Sequence, residues 1–163
     1  MNLLSVVLGS DSDIAIYRDV ADLLDQFHLS YERRILSAHR TPDELKAYVQ
    51  DAEGRGIKVF IAIAGMAAAL PGVIASFTIL PVIGVPVAQK SPLMGFDSLF
   101  SMVQMPPGVP VASVAINGGK NAALLAVQII ALSDAKVSEK LKSYREELRA
   151  SVHLKDQRLQ EQK

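Results

Sequence analysis

Five strand-like runs, residues 3–8, 31–36, 58–64, 80–87 and 109–116, alternate with segments whose apolar residues recur at helical spacing. That alternation limits the chain more than any other feature. Parallel strands cannot be joined by a tight turn; each pair needs a crossover of a dozen or more residues, which the helical segments supply. The pattern therefore specifies an α/β protein: a three-layer α/β/α sandwich around a five-stranded parallel sheet. Rossmann-like and flavodoxin-like strand orders both fit such a pattern, and the short crossovers in a single domain favour the flavodoxin-like one. The composition agrees, since 50% of residues are hydrophobic but only 6% aromatic. Ala, Val, Ile and Leu carry the apolar mass, as strands buried on both faces require.

The helices can be placed from their periodicity and end signals. Ile14, Tyr17, Ala21, Leu24 and Phe27 form one apolar face, with Ser12 or a neighbour as the cap. Thr41-Pro42-Asp43-Glu44 reads as a second helix start, with Thr41 as N-cap and Pro42 at the first helical position, closing near Gly54 or Gly56. Residues 65–76 are a small-residue stretch interrupted by Pro71-Gly72, to which no element is assigned. Helices are expected over 95–104 and 120–132. From Asp134 the chain becomes highly charged, with Val137, Leu141, Tyr144, Leu148 and Val152 on one stripe. The fifth strand and its helix already complete a flavodoxin-like domain over residues 1–133. The extension over 134–163 is expected to bury its stripe on a neighbouring subunit, which makes the chain a homo-oligomer.

Several function classes fall away. Lys plus Arg and Asp plus Glu both number 17, so no basic surface for nucleic acid or an anionic membrane is expected. The absence of cysteine removes disulfides, thiolate metal sites and a cysteine nucleophile. No apolar run approaches the ~20 residues of a membrane span. Met1-Asn2-Leu3-Leu4 lacks the basic start of a signal peptide, so a cytoplasmic location is expected.

The residues that can do chemistry cluster at the ends of strands. Gly9-Ser10-Asp11-Ser12-Asp13 joins the first strand to the first helix. The serines and free backbone N–H groups of a helix start suit a phosphate. Asp11 and Asp13 would repel phosphate and suit ribose hydroxyls or a ring amine instead. Ser37-Ala38-His39-Arg40-Thr41-Pro42 follows the second strand. A histidine changes charge near pH ~6.5 and can move protons at neutral pH, while an arginine can fork onto phosphate. Gly65 to Gly72 follows the third strand, where small residues allow a ligand close to the backbone. Residues 91–107 suit a lid or a subunit contact. A phosphoacceptor signalling domain would need an aspartate closing the third strand and a lysine closing the fifth, where Ala64-Gly65 and Ile116-Asn117 stand. A flavodoxin would need aromatic residues flanking its flavin, and the chain has no tryptophan.

Taken together these segments resemble the PurE family, the N5-carboxyaminoimidazole ribonucleotide mutases related to aminoimidazole ribonucleotide carboxylase. The matching pieces are Gly9 to Asp13, Ser37 to Asp43, Leu70-Pro71-Gly72, Pro81 to Val87, Asp97-Ser98-Leu99, Val103 to Pro106 and Asn121 to Ala126, in family order over essentially the whole chain. The resemblance implies a flavodoxin-like fold, an octamer, no metal and no organic cofactor. It implies a ribonucleotide substrate bound by Ser10, Asp13 and Arg40, with His39 as general acid/base and with Asp11, Ser37 and Ala38 lining the site. Gly65, Ala68, Ala69 and Leu70 fall in the family's remaining substrate-binding segment. There the typical mutase reads Gly-Gly-Ala-Ala-His-Leu-Pro-Gly, whereas this chain has Gly65-Met66-Ala67-Ala68-Ala69-Leu70-Pro71-Gly72. A second histidine is thus replaced by Ala69. Carboxyl transfer by a mutase, direct carboxylation by carbon dioxide, and nucleotide binding without catalysis all remain open on that substitution. The match of Pro81 to Val87 and Asp97 to Pro106 puts the mutase first.

Overall fold

Burial is unbroken along three strands, β1 (Leu4–Leu8), β3 (Val59–Gly65, up to Ala64) and β4 (Val82–Val87). They form the centre of a five-stranded sheet in a computed structural model that describes residues 3–161. β2 (Tyr31–Ile35) and β5 (Ala112–Ser113) are its edges. All four pairings are parallel and the order is β2-β1-β3-β4-β5, the flavodoxin-like arrangement.

The period of two along each strand divides the core into two faces. Val7, Phe60, Ala62, Ala64 and Val82 pack with Leu45, Tyr48, Val49 and Ala52 of α2 (Pro42–Gly54), with Leu70 and Ile74 of α3 (Leu70–Ala75), and with Met102 of α4 (Phe96–Val103). Leu4, Val6, Leu8, Ile61 and Ile63 face the other way and are equally buried. That second face is covered by helices that include α1 (Ile14–Gln26) and the start of α5 (Gly119–Ala131). Ser5 is the buried polar residue of β1. Its hydroxyl lies 2.6 Å from that of Tyr48, which donates to Glu32 Oε1 at 2.7 Å. Arg55 completes the chain by pairing with Glu32 at 2.6 Å. This network ties α2 to both β1 and the exposed, charged edge strand β2.

Three local departures from the sequence reading have physical causes. The fifth strand shrinks from the expected eight-residue run to Ala112–Ser113. Pro110 withholds a ladder donor near the start of the run, and beyond Ser113 the chain accompanies β4 through separate bonds, Val114 N–H to Gly84 C=O at 3.0 Å and Asn117 N–H to Pro86 C=O at 2.8 Å. Within residues 65–76 a helix does form, α3, because Pro71 falls in its first turn, where a missing N–H costs nothing. The first helix is preceded by a single 3₁₀ turn, Asp11–Asp13, capped by Ser10, while the N-cap position of the helix itself falls on Asp13, beside Ser12, without a side-chain cap bond.

The chain divides into two compact units, Met1–Ala126 and Val127–Lys163, the boundary falling within α5. The second unit holds α6 (Ala135–Glu161), a 27-residue helix roughly 40 Å long. Asp134 caps it, accepting from the N–H groups of Lys136 at 2.9 Å and Val137 at 3.2 Å. Val137 is buried, whereas Leu148, Val152, Leu154 and Leu159 are exposed. Among the described residues no helix is long and apolar enough to cross a membrane.

Gly119 tests how closely α1 and α5 approach. A Cβ there would lie 2.8 Å from the Ile16 carbonyl oxygen and 3.1 Å from Asp19 Cβ. Backbone cannot swing aside, so Gly119→Ala should cost about 1–3 kcal/mol of stability. Gly54→Ala, at the end of α2, meets nothing within 4 Å and should instead stabilise by about 0.4–1 kcal/mol. Urea denaturation midpoints moving in opposite directions would bear this out; an unchanged midpoint for Gly119→Ala would refute the close approach.

Candidate active site

The carboxyl ends of four strands open onto one cleft of about 570 Å³. Backbone pairing brings them together. Leu36 N–H donates to Leu8 C=O at 3.0 Å and Gly9 N–H to Ile63 C=O at 2.9 Å, so the β1 exit is bonded to those of β2 and β3 at once. Of the residues expected in the site, Ser10, Asp13, Ser37, Ala38, His39, Arg40, Gly65, Ala68, Ala69 and Leu70 all line the cleft. Asp11 does not; it is exposed and accepts from the Ser10 hydroxyl at 2.9 Å. Gln89 and Lys90, just beyond β4, line it as well. Sequence reasoning passed over both, although the rule that drew attention to the ends of β1, β2 and β3 applies equally to β4.

The β1 exit is held by a reciprocal cap. Ser10 N–H donates to Asp13 Oδ2 at 3.1 Å and Ser12 N–H donates to Ser10 Oγ at 3.3 Å. Asp13 is therefore partly a structural carboxylate, buried beneath the turn, with its other oxygen 3.4 Å from the Ser12 hydroxyl. Gly9 has an ordinary φ; its missing side chain leaves room in the cleft, since a Cβ would lie 3.6 Å from that of Ala64 and 3.7 Å from Asp13 Oδ2.

The β2 exit carries His39 and Arg40 on a turn clamped at both ends. Thr41 precedes α2 as expected, but its hydroxyl does not cap the helix. It turns back, accepting from Ser37 N–H at 2.9 Å and donating to Ser37 C=O at 3.1 Å. Ser37 Oγ in turn accepts from Arg40 N–H at 3.2 Å and from Arg40 Nε at 3.4 Å. Ser37 and Thr41 thus close a ring whose outward residues are the exposed imidazole and guanidinium. Positioning of this kind is how a site holds reacting groups without paying for order at the moment of reaction.

The β3 exit makes a wall with no ionisable group, from Gly65 to Leu70. Met66 sits at φ 55° in the left-handed region, with tight bonds from Ala68 N–H to Met66 C=O and from Ala69 N–H to Ala67 C=O, each 2.8 Å. Gly65 permits β4 to approach, because a Cβ there would lie 3.2 Å from the Val87 carbonyl oxygen. Among the described residues neither Arg40 nor Lys90 has a carboxylate within 4 Å. Two cations without an ion-pair partner, on opposite sides of a cleft that also holds a histidine and several hydroxyls, make it suited to an anionic ligand with polar substituents.

A family model described as AIR carboxylase matches residues 3–151. The chain belongs to this family, also called PurE. It is 52% identical over 149 residues to the N5-carboxyaminoimidazole ribonucleotide mutase of Pyrococcus abyssi, covering 91% of this chain and 85% of that one. The mutase of Thermotoga maritima is 51% identical over 161 residues, covering 99% and 94%. The crystal structure of Treponema denticola PurE superposes with a TM-score of 0.85 at 31% identity, covering 98% of this chain and 99% of that one. The all-parallel order of the sheet is therefore the PurE fold.

Charge in the cleft has a consequence for stability. Burial raises the Asp13 carboxyl above its ordinary value, against the opposing pull of the Ser10 N–H and the Ser12 hydroxyl. A group whose folded pKa exceeds its unfolded one favours folding when protonated, and that contribution is lost as pH rises through the folded pKa. At neutral pH the ionised Asp13 therefore works against folding. Asp13→Asn keeps an oxygen for the Ser10 N–H and removes the charge. Its urea midpoint should equal or exceed that of the wild type at pH 7, the difference narrowing below pH ~4. A variant clearly less stable than wild type at pH 7 would refute the effect of burial.

Proposed function

We propose that this PurE-family protein is a cytoplasmic enzyme of purine biosynthesis that converts N5-carboxyaminoimidazole ribonucleotide to 4-carboxyaminoimidazole ribonucleotide. The observation that carries the reading is the clamped turn that presents His39 and Arg40 together to the cleft opposite Ser10 and Asp13. Arg40, Ser10 and Ser12 suit the phosphate, Asp13 a ribose hydroxyl or ring amine, and the small-residue wall the flat imidazole. His39 is the one histidine lining the cleft. The names of the two mutases at about half identity agree with this assignment.

One histidine suffices for the chemistry. The bond between the exocyclic nitrogen and the carboxyl carbon breaks, its electron pair stays on nitrogen, and nitrogen takes a proton from the His39 imidazolium. Carbon dioxide is left in the cleft. The ring carbon then attacks it with its π electrons, forming the carbon–carbon bond, and neutral His39 accepts the proton that the ring carbon gives up. His39 ends as it began, and no atom is gained or lost. A wall without polar side chains keeps the released carbon dioxide from meeting activated water.

Direct carboxylation of aminoimidazole ribonucleotide by carbon dioxide is the second reading. Ala69 favours it by standing where the typical mutase has a histidine. A paired assay separates the two. The mutase turns over the N-carboxylated nucleotide; the carboxylase turns over aminoimidazole ribonucleotide only when bicarbonate or carbon dioxide is supplied. On either substrate His39→Asn should fold, bind nucleotide and lose at least ~10²–10⁴-fold in turnover, the contribution of general acid/base catalysis. His28→Asn and His153→Asn should leave the rate nearly unchanged. Near-normal turnover by His39→Asn would overturn the mechanism, and a wild type inactive in both arms would favour a nucleotide-binding homologue without catalysis.

The same reading includes a homo-oligomer, an octamer. Phe96, Phe100 and Val103 lie exposed along α4, the two rings 6.2 Å apart, and Leu148 and Val152 are exposed on α6. A small protein leaves such apolar rows in water when another copy covers them. Sedimentation at micromolar concentration should give a mass several times that of the 17.6 kDa chain; a monomer would exclude the assembly.

A further inference from the structure

Lys90 is the one charged residue of the cleft to which neither the sequence motifs nor the mechanism gives a role. Its backbone is fixed. Gln89 and Lys90 form a turn closed by Ser91 N–H donating to Ala88 C=O at 3.0 Å. Asn117 Oδ1 accepts from Ala88 N–H at 3.0 Å, locking the turn to the chain beyond β5. Ser91 Oγ accepts from Leu93 N–H at 3.1 Å and Gly95 N–H at 3.2 Å and donates to Asp97 Oδ1 at 2.7 Å. Lys90 itself is held at φ 63°, a left-handed conformation that side chains rarely adopt.

The strand order says where its charge goes. β4 is two strand spacings, about 10 Å, from β1. Lys90 lines the same cleft as Gly65 to Ala69 of the intervening β3 exit and Ser10 and Asp13 of the β1 exit. Its charge is among the lesser influences on the carboxyls of Asp11 and Asp13 and favours their ionised forms. Arg40 enters from the β2 exit on the other side. On the function proposed above, a nucleotide with its phosphate at Arg40 and the β1 serines and its base against the small-residue wall would turn its second anionic group toward Lys90.

We propose that Lys90 is a specificity-determining residue: it holds the carboxylate of the carboxylated nucleotide, while Arg40 holds the phosphate. The assignment rests on the function proposed above. It accounts for how the cleft tells a carboxylated nucleotide from its decarboxylated counterpart when Ala69 offers no polar group. A lysine suits the task because its ammonium is a compact charge on a flexible stem and can follow a carboxylate between two attachment points.

The test compares Lys90→Met, which keeps the stem and removes the charge, with Lys90→Arg. Turnover is measured with N5- and 4-carboxyaminoimidazole ribonucleotide, and the dissociation constant of aminoimidazole ribonucleotide, which lacks the carboxylate, is measured separately. Lys90→Met should raise KM for both carboxylated nucleotides roughly ten- to hundredfold, the range of a charge-assisted hydrogen bond. It should leave kcat within about threefold and the affinity for aminoimidazole ribonucleotide nearly unchanged, and Lys90→Arg should recover most of the KM. Equal weakening of all three ligands would overturn the proposal, because the lysine would then serve the shared phosphate or merely offset Asp11 and Asp13. Unchanged KM values would overturn it too. A wild type that turns over none of the nucleotides would instead overturn the proposed function, an outcome separate from any effect of the substitution.

Discussion

Parallel pairing forces each connection between strands to run from the end of one strand back to the start of the next. All strands consequently finish at the same end of the sheet, and whatever follows a strand is delivered there. The pairing of β1 with β2 on one side and β3 on the other makes β1 the point from which the order diverges. The bonds from Leu36 to Leu8 and from Gly9 to Ile63 continue that pairing past the strands themselves. Three loops with no sequence proximity are thereby held side by side. Each element of the site, the Ser10 cap, the His39 turn and the small-residue wall, depends on this ladder for its place.

Within that frame the loops are tied by short-range polar contacts rather than by packing. Ser10 with Asp13, Ser37 with Thr41, and Ser91 with Asp97 each close a small ring of hydrogen bonds at the end of a different strand. All three use a hydroxyl to satisfy backbone groups that the interrupted ladder leaves open. The side chains these turns present to the cleft are His39 and Arg40 at β2 and Lys90 at β4. Asp13 both caps a turn and lines the cleft, where it is buried. The cost is a charge held where water is scarce.

The fold was legible in the sequence because it is written redundantly. Period, strand composition and the helix start at Thr41-Pro42 all point to the same alternation, so a misread element does not disturb the rest. The errors came where a single residue carries two messages. Pro71-Gly72 reads as a break, yet a proline in the first turn of α3 is no break. The apolar run around Val111 reads as a strand, yet Pro110 removes a donor near its start. Thr41 illustrates a subtler limit: the helix start was legible, but the choice of its hydroxyl to turn back on Ser37 is a competition between two local bonds that spacing alone does not decide. Of the site, the residues in strong local motifs, such as Ser10, His39 and Arg40, stand out. Lys90 does not, because Gln89-Lys90 carries no pattern of its own and gains its meaning only from β4 lying beside β3.

The replacement of a histidine by Ala69 bears on how the site divides its labour. Of the cleft-lining groups, Asp13 is engaged in a cap and His39 is the proton carrier of the proposed mechanism, which leaves Arg40 and Lys90 as the remaining charged groups. A second imidazole in the small-residue wall would add a hydrogen-bonding group next to the reacting ring. Without it, the side chains of the wall from Gly65 to Leu70 are small or apolar and offer no hydrogen-bonding group of their own. On the proposed reading, the side chain that meets a carboxylate comes from outside the wall, and the β4 exit, next to β3, is the strand end that carries a cation, Lys90. A polar side chain missing at β3 is then made up one strand over, while the sheet that sets the geometry stays the same.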